Sequence, residues 1–456
     1  MKLGDAGFLV AEKQDRGAQV SMLTRWSLPG DAKEDYVRDL VARWSQCRDF
    51  AAPFNQRVKP GLIPDWETLR ADQIDLDYHL RHSALPKPGG ERELGILASR
   101  LHSTPLDRRR PLWEMHVIEG LENDEFALFF KLHHSQIDGM GAIRLLERVL
   151  SPNPDARDMP AFWEVPPKTV QKSGGFGLRM PKLSDVSKVT DAAKLAKTLV
   201  ELQTSSDPGN AAAFGSPKTI FNGRLQASRR VATQCYEVAR LSRLAKRAGV
   251  SINDIVLTIC AGSLRNYLAE RSELPAKSLT AGVPVSVRAD ESPGNAISFI
   301  IAKLHTEIAD PYERLMAIHH STTLAKDRFK NLPSRVTQEA MGSLVMGPYI
   351  GQVALNLAGR TAPVYNLVIS NVPGPRDFLY LNGARMEIFY PISMVFDGQA
   401  LNITFLSYAG RYAACFTSCR DSVPSMQRIA VGTGEALDEL EEALDGHVPP
   451  GTSARK

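Results

Sequence analysis

A stretch thick in proline and glycine, from Pro152 to Pro217, limits the folding of this chain more than any other feature. Pro154, Pro160, Pro166, Pro167, Gly174, Gly175, Gly177, Pro208 and Gly209 fall inside it. Such residues end helices and interrupt strand ladders, so the stretch reads as a connection. It divides the chain into a first lobe, 1–151, a linker, 152–217, and a second lobe, 218–445. The linker holds one helix-like insert near Asp191 to Leu202, and a tail over 446–456 is expected to be disordered. A chain of 456 residues exceeds one ordinary core, which agrees with two lobes.

Each lobe mixes strand and helix. In the first, Leu112 to Glu119 and Glu125 to His133 predict a hairpin turning at Glu122-Asn123-Asp124, followed by a helix from Gly139 to Leu150. In the second, strands are expected over Leu279–Val287 and Ala296–His305, then helices over Pro311–Lys326 and Ser334–Leu357. Further strands follow at Val364–Ser370, Arg385–Tyr390, Leu401–Tyr408 and Arg411–Thr417, and a closing helix at Val423–Leu444. The order is α/β with mixed sheets, without a regular βαβ repeat.

Charge and hydropathy narrow the function classes. The 55 basic and 51 acidic residues leave +4, too weak and too dispersed for a nucleic-acid partner, but compatible with an anionic lipid surface. No run reaches the ~18 apolar residues of a membrane span. The nearest, Ser343 to Gly359, is interrupted by Gly347, Pro348, Gly351, Gln352 and Asn356. The start of the chain lacks the apolar core of a signal peptide, and five scattered cysteines fit a reducing compartment, so a cytoplasmic location is expected. Cys415 and Cys419 sit four apart without a second pair of ligands, so no metal is expected there.

The chemistry is concentrated in His133-His134-Ser135-Gln136-Ile137-Asp138-Gly139, an HHxxxDG motif at a strand-to-helix junction. Phe126, Leu128, Phe130 and Leu132 alternate along one strand face, and His134 extends that row, while Lys131 and His133 lie on the other. A histidine ending an apolar row, next to a glycine that allows close approach, suits proton transfer near neutral pH. Asp138 is also placed to cap the helix that begins at Gly139. A zinc site fits poorly, because the motif lacks an i,i+4 ligand pair and an obvious third ligand. The other doublet, His319-His320, has no acid or glycine at the matching place and is expected on a helix surface.

The whole chain resembles the bacterial wax ester synthase/diacylglycerol acyltransferase family. Besides HHxxxDG, the resemblance rests on Leu85-Pro86-Lys87-Pro88-Gly89-Gly90, Pro105-Leu106-Asp107-Arg108, Pro111-Leu112-Trp113-Glu114 and Ser251-Ile252-Asn253-Asp254. Pro284-Val285-Ser286-Val287-Arg288, Asn371-Val372-Pro373-Gly374-Pro375 and Ser407-Tyr408 with Gly410 complete the set. Two places depart from it: the Ser-Gln-Ile centre of the motif, and Gln19-Val20-Ser21, where many relatives carry a histidine. These bear on substrate selectivity, not on reaction class.

The resemblance implies a two-lobed chloramphenicol-acetyltransferase-like fold with a channel between lobes. It also implies transfer of a long acyl group from acyl-CoA to a long-chain fatty alcohol or diacylglycerol, at a membrane or lipid-droplet surface. His134 would be the general base, with His133 and Asp138 completing the catalytic set, Gly139 giving room, and Arg288 pairing with Asp138. Neither a metal nor a resident cofactor is implied; acyl-CoA is a substrate. Asn253 reads equally as part of a helix cap or as a donor to the developing oxyanion. Arg108, Arg109 and Arg110 read as coenzyme A phosphate contacts or as a solvated turn, and Met341 to Leu357 as an alkyl tunnel wall or ordinary packing. Asn371 through Pro375 reads as a rigid turn. The rival functions are a condensation-domain-like synthase using carrier-bound substrates and a non-catalytic lipid-surface binding protein.

Overall fold

The computed structural model describes residues 9, 12, 17–59, 61, 64–167, 189–287, 296–332 and 335–446. The expected tail from residue 447, the glycine cluster at 174–177 and Arg288 lie outside the described residues.

The first half of the chain runs β1 (Gln19–Ser27), α1 (Tyr36–Trp44), β2 (Gln56–Lys59), β3 (Asp65–Thr68), α2 (Leu76–His79), β4 (Leu80–Ala84) and α3 (Glu91–Ser103). It continues with β5 (Trp113–Glu119), β6 (Glu125–His133) and α4 (Gly139–Val149). After α5 (Val189–Thr204) come β7 (Arg229–Glu237), α6 (Val238–Ala248), α7 (Ile252–Glu270), β8 (Thr280–Val287) and β9 (Ala296–Lys303). The chain then forms α8 (Pro311–Lys330), α9 (Arg335–Ala354), β10 (Leu367–Pro373), β11 (Tyr380–Leu381) and β12 (Ala384–Ile392). It ends in β13 (Leu401–Tyr408), β14 (Arg411–Cys419) and α10 (Gln427–Gly446).

Two mixed six-stranded sheets result. One has the order β11-β12-β1-β6-β5-β4 and the other β7-β14-β13-β10-β8-β9. Strand β12, from late in the chain, pairs antiparallel with β1, setting Leu23 opposite Tyr390. The lobes are therefore not consecutive lengths of chain; the second half lends two strands to the first sheet. The linker is also more than a tether, because Phe162 and Trp163 are buried in the core of the first lobe.

Strand β6 explains why the sheets lie close. Phe126, Leu128, Phe130 and Leu132 face one apolar cluster, and Ala127 and Phe129 face another. The second cluster draws on both sheets, joining Leu23, Ile118 and Phe129 to Val231, Ala413 and Cys415, with α3 packed over it. A strand buried on both faces carries consecutive apolar residues, as β6 does from Phe126 to Phe130. In the second lobe, α7 is buried almost all round and meets α10 so closely that a Cβ at Gly262 would lie 2.9 Å from that of Ala436.

The motif Asn371-Val372-Pro373, expected as a turn, instead completes strand β10, paired in parallel with β13 from Val368 to Pro373. The strand is longer than its apolar run because β13 supplies ladder partners that no local pattern reveals.

Candidate active site

The ladder between β1 and β6 ends with Gln19 opposite His133. One residue later, the His134 amide still donates to the Ala18 carbonyl at 3.0 Å. The chain then turns through 134–136, tied by the Gln136 amide to the His133 carbonyl at 3.0 Å. Gln136 anchors this turn from the other side, its side-chain amide reaching the carbonyls of Pro53 (3.3 Å) and Gln56 (3.2 Å).

The two histidines have different surroundings. His133 is fully buried, and His134 is half-buried. The Ser135 amide donates to Nδ1 of His133 at 3.2 Å, and the Ser135 Oγ lies 2.6 Å from the same nitrogen. Because a backbone N–H can only donate, Nδ1 is the acceptor and the ring proton is assigned to Nε2. That nitrogen faces Oε2 of Glu12 at 3.5 Å, and among the described residues no closer acceptor reaches it.

Asp138 is the N-cap of α4, its Oδ1 accepting from the Gly141 amide at 2.7 Å. It faces the helix start as the capping reading requires. Its expected partner, Arg288, lies outside the described residues. Gly139 is exposed, and a Cβ placed there would meet nothing within 4 Å among the described residues.

Beneath His133, Lys131 is buried with its Nζ 2.8 Å from Oε2 of Glu114 and within reach of the Leu101 and Thr104 carbonyls. Burial would raise the Glu114 carboxyl, but the His116 hydrogen bond and the Lys131 charge outweigh it and hold the group down to about 2. The same burial lowers the Lys131 ammonium below its ordinary value despite Glu114. Lys131 fastens the end of α3 to the strand that carries the motif.

In the second lobe, the start of α7 is a capping box: the Asp254 amide donates to Ser251 Oγ at 3.2 Å and the Ser251 amide to Asp254 Oδ2 at 3.0 Å. Asn253 is half-buried beside this box, which is complete without it. Asp254 also accepts from Thr322 Oγ1 at 2.7 Å, and His319 Nδ1 lies 2.9 Å away. Burial pushes the Asp254 carboxyl up, but these hydrogen bonds prevail and keep it below the usual carboxylate range. The expectation that His319-His320 is only helix surface therefore needs correction. His320 is exposed and reaches Asp207 at 2.8 Å, whereas His319 closes over the start of α7.

The arginine run is engaged within the chain. Arg108 pairs with Glu12, Arg109 with Asp107, and Arg110 with Asp75 while stacking on Tyr78. Trp113 is fully buried and packs on Trp163 and His79. Gly89 takes a φ of +83°, and a Cβ there would lie 2.0 Å from the Gly120 carbonyl oxygen, so that glycine motif is scaffold. Met341 and Val345 wall a small cavity with Leu202, Ile300, Ile301 and Phe329, whereas Leu344, Leu355 and Leu357 are exposed.

The family model of the wax ester synthase/diacylglycerol acyltransferase catalytic domain matches residues 1–256, and that of the WS/DGAT C-terminal domain matches 293–441. The chain belongs to the wax ester synthase/diacylglycerol acyltransferase family. O-acyltransferase WSD of Acinetobacter baylyi is 38% identical, with 96% of each chain covered. The wax ester synthase/diacylglycerol acyltransferase from Marinobacter aquaeolei VT8 superposes with a TM-score of 0.80 at 36% identity, covering 97% of this chain and 98% of that one. A condensation domain of the calcium-dependent antibiotic synthetase, at 16% identity and a TM-score of 0.58, covers 97% of this chain and 96% of its own, and shows the shared fold alone. As a member of this family the chain is an acyl-transferring enzyme with the expected two-lobed mixed α/β fold. Sequence patterns identified the motif but missed Glu12 and Ser135, whose roles come from contacts around the His133 ring. Only the acid-to-histidine geometry of the folded chain reveals the partnership of Asp254 with His319.

Proposed function

We propose that this enzyme transfers a long acyl chain from acyl-CoA to a long-chain fatty alcohol or to diacylglycerol, with His134 as general base. The observation that carries this reading is the contrast within the motif: His133 is fully buried and held by Ser135, whereas His134 is half-buried. His134 takes the proton of the acceptor hydroxyl as its oxygen attacks the thioester carbonyl. The tetrahedral intermediate collapses to the ester and expels the coenzyme A thiolate, which recovers the proton from the imidazolium. General-base help of this kind contributes ~10²–10⁴-fold, so positioning of both substrates supplies the rest.

Asn253 acts as a donor to the oxyanion at the start of α7, a role compatible with a cap built by Ser251 and Asp254 alone. Asp138 holds the turn by capping α4. No metal or resident cofactor takes part. The substrates meet in a channel between the lobes. No helix of the described residues is long and apolar enough to cross a membrane. The exposed Leu344, Leu355 and Leu357 suit shallow contact with a membrane or lipid-body surface in the cytoplasm.

The test is thiol release from free palmitoyl-CoA with hexadecanol or dioleoylglycerol as acceptor. Release with the native chain and its loss in His134→Ala support the reading. Release only from a carrier-bound thioester points to condensation chemistry, and binding of lipid without release points to a non-catalytic protein.

A further inference from the structure

The geometry points to Glu12 as a positioning residue for acyl transfer, one that holds both histidines of the motif in place without touching substrate. Its carboxylate is almost fully buried, with 6% of the side chain exposed. Oε1 accepts from the Ala18 amide at 3.2 Å, and the carbonyl of the same Ala18 accepts from the His134 amide at 3.0 Å. Oε2 accepts from Nε of Arg108 at 2.8 Å and faces Nε2 of His133 at 3.5 Å. One carboxylate thus lies 3.5 Å from the His133 ring and is linked to the His134 backbone through a single peptide.

The chemistry of these contacts is directional. Ser135 donates to Nδ1 of His133, so the ring presents its proton at Nε2, where an acceptor is required. A carboxylate is an acceptor only, which matches both the Ala18 amide and the His133 ring. Burial alone would raise the Glu12 carboxyl, but His133 first and then Arg108 outweigh this and hold it below its ordinary value. An ionised acceptor therefore fixes the ring orientation of His133, the turn through Ser135, and the position of the His134 backbone. Misplacing a general base by about 1 Å can cost ~100-fold in rate, so a fixed backbone at His134 has catalytic value.

This inference rests on His134 being the base, and the experiment separates the two. In the full-length enzyme, kcat and KM for palmitoyl-CoA and hexadecanol are measured for Glu12→Gln, His133→Asn, their double variant, and His134→Ala. Glu12→Gln keeps the shape but replaces one acceptor oxygen by a donor. It should lower kcat by ~10–100-fold with both KM values within about twofold. Because Glu12 acts partly through the His133 ring, the double variant should be slower than the native enzyme by less than the product of the two single losses. Native kcat in Glu12→Gln overturns the proposal, as do losses that multiply in the double variant. Loss of kcat only in step with loss of folded protein, in both Glu12→Gln and the shorter Glu12→Asp, overturns it as well. If His134→Ala retains turnover, the general-base reading itself fails. If His134→Ala is inactive and Glu12→Gln is not impaired, only the positioning role fails.

Discussion

Ser135 Oγ lies 2.6 Å from Nδ1 of His133, so the first histidine of the pair is tied into the turn that follows it, while His134 next to it is left half-buried. Different roles are therefore expected of the adjacent rings. Replacing His134 by Ala should lower kcat by at least ~100-fold with an unchanged melting temperature. Replacing His133 by Ala removes a fully buried ring and leaves Ser135 and Glu12 without it, which should cost about 1–3 kcal/mol of stability. Melting curves and kcat for the two variants check this; equal Tm losses would contradict the division of roles.

Asp138 caps α4 through Gly141, and a lost cap costs about 1 kcal/mol. Asp138→Ala should lower Tm, whereas Asp138→Asn, which keeps an accepting oxygen, should restore most of it. Comparing activity in the same pair isolates the charge. If Asp138→Asn is as active as the native enzyme, an ion pair with Arg288 has no part in the reaction.

Lys131 and Glu114 form a buried ion pair beneath the motif. Lys131→Met leaves the buried Glu114 charge with Arg81 at 3.6 Å as its remaining cationic side chain and should destabilise by up to about 3 kcal/mol. Adding Glu114→Gln removes that charge and should recover a large part of the loss. Denaturant unfolding of the single and double variants measures the recovery, and additive losses would refute the coupling.

Burial holds the rings of His79 and His102 neutral, drawing their proton affinity down to about 4 and about 3. Both titrate near ~6.5 when unfolded, so below that pH the unfolded chain binds more protons than the folded one. The stability tied to these groups is complete above about pH 6.5 and is lost as pH falls towards their folded values. Tm should therefore decline from pH 6.5 to 4.5, and unfolding at pH 5 should take up at least ~2 protons. In His102→Gln the uptake should drop by about one; an unchanged uptake would show that His102 does not contribute.

Met341 and Val345 face the small cavity, whereas Leu355 is exposed. Val345→Phe should favour shorter acceptor alcohols over hexadecanol by about tenfold in kcat/KM while leaving the KM for acyl-CoA unchanged. Leu355→Phe, pointing away, should leave chain-length preference as it is. Equal selectivity in all three enzymes would remove the cavity from the acceptor path.

Local pattern determined a good deal of this protein. The alternation from Phe126 to Leu132 fixes which histidine shares the face of Lys131, and Asp138 before a glycine-led helix is legible as a cap, because these features depend on neighbours in the chain. The capping box at Ser251 and Asp254 is legible for the same reason. Tertiary structure alone decided that β12 crosses to pair with β1, that Asn371 to Pro373 joins a strand, and that His319 closes on Asp254. It also decided that Glu12 meets His133. Each of these contacts joins segments distant in the chain, and its energy comes from packing and partner geometry that no short window of sequence contains.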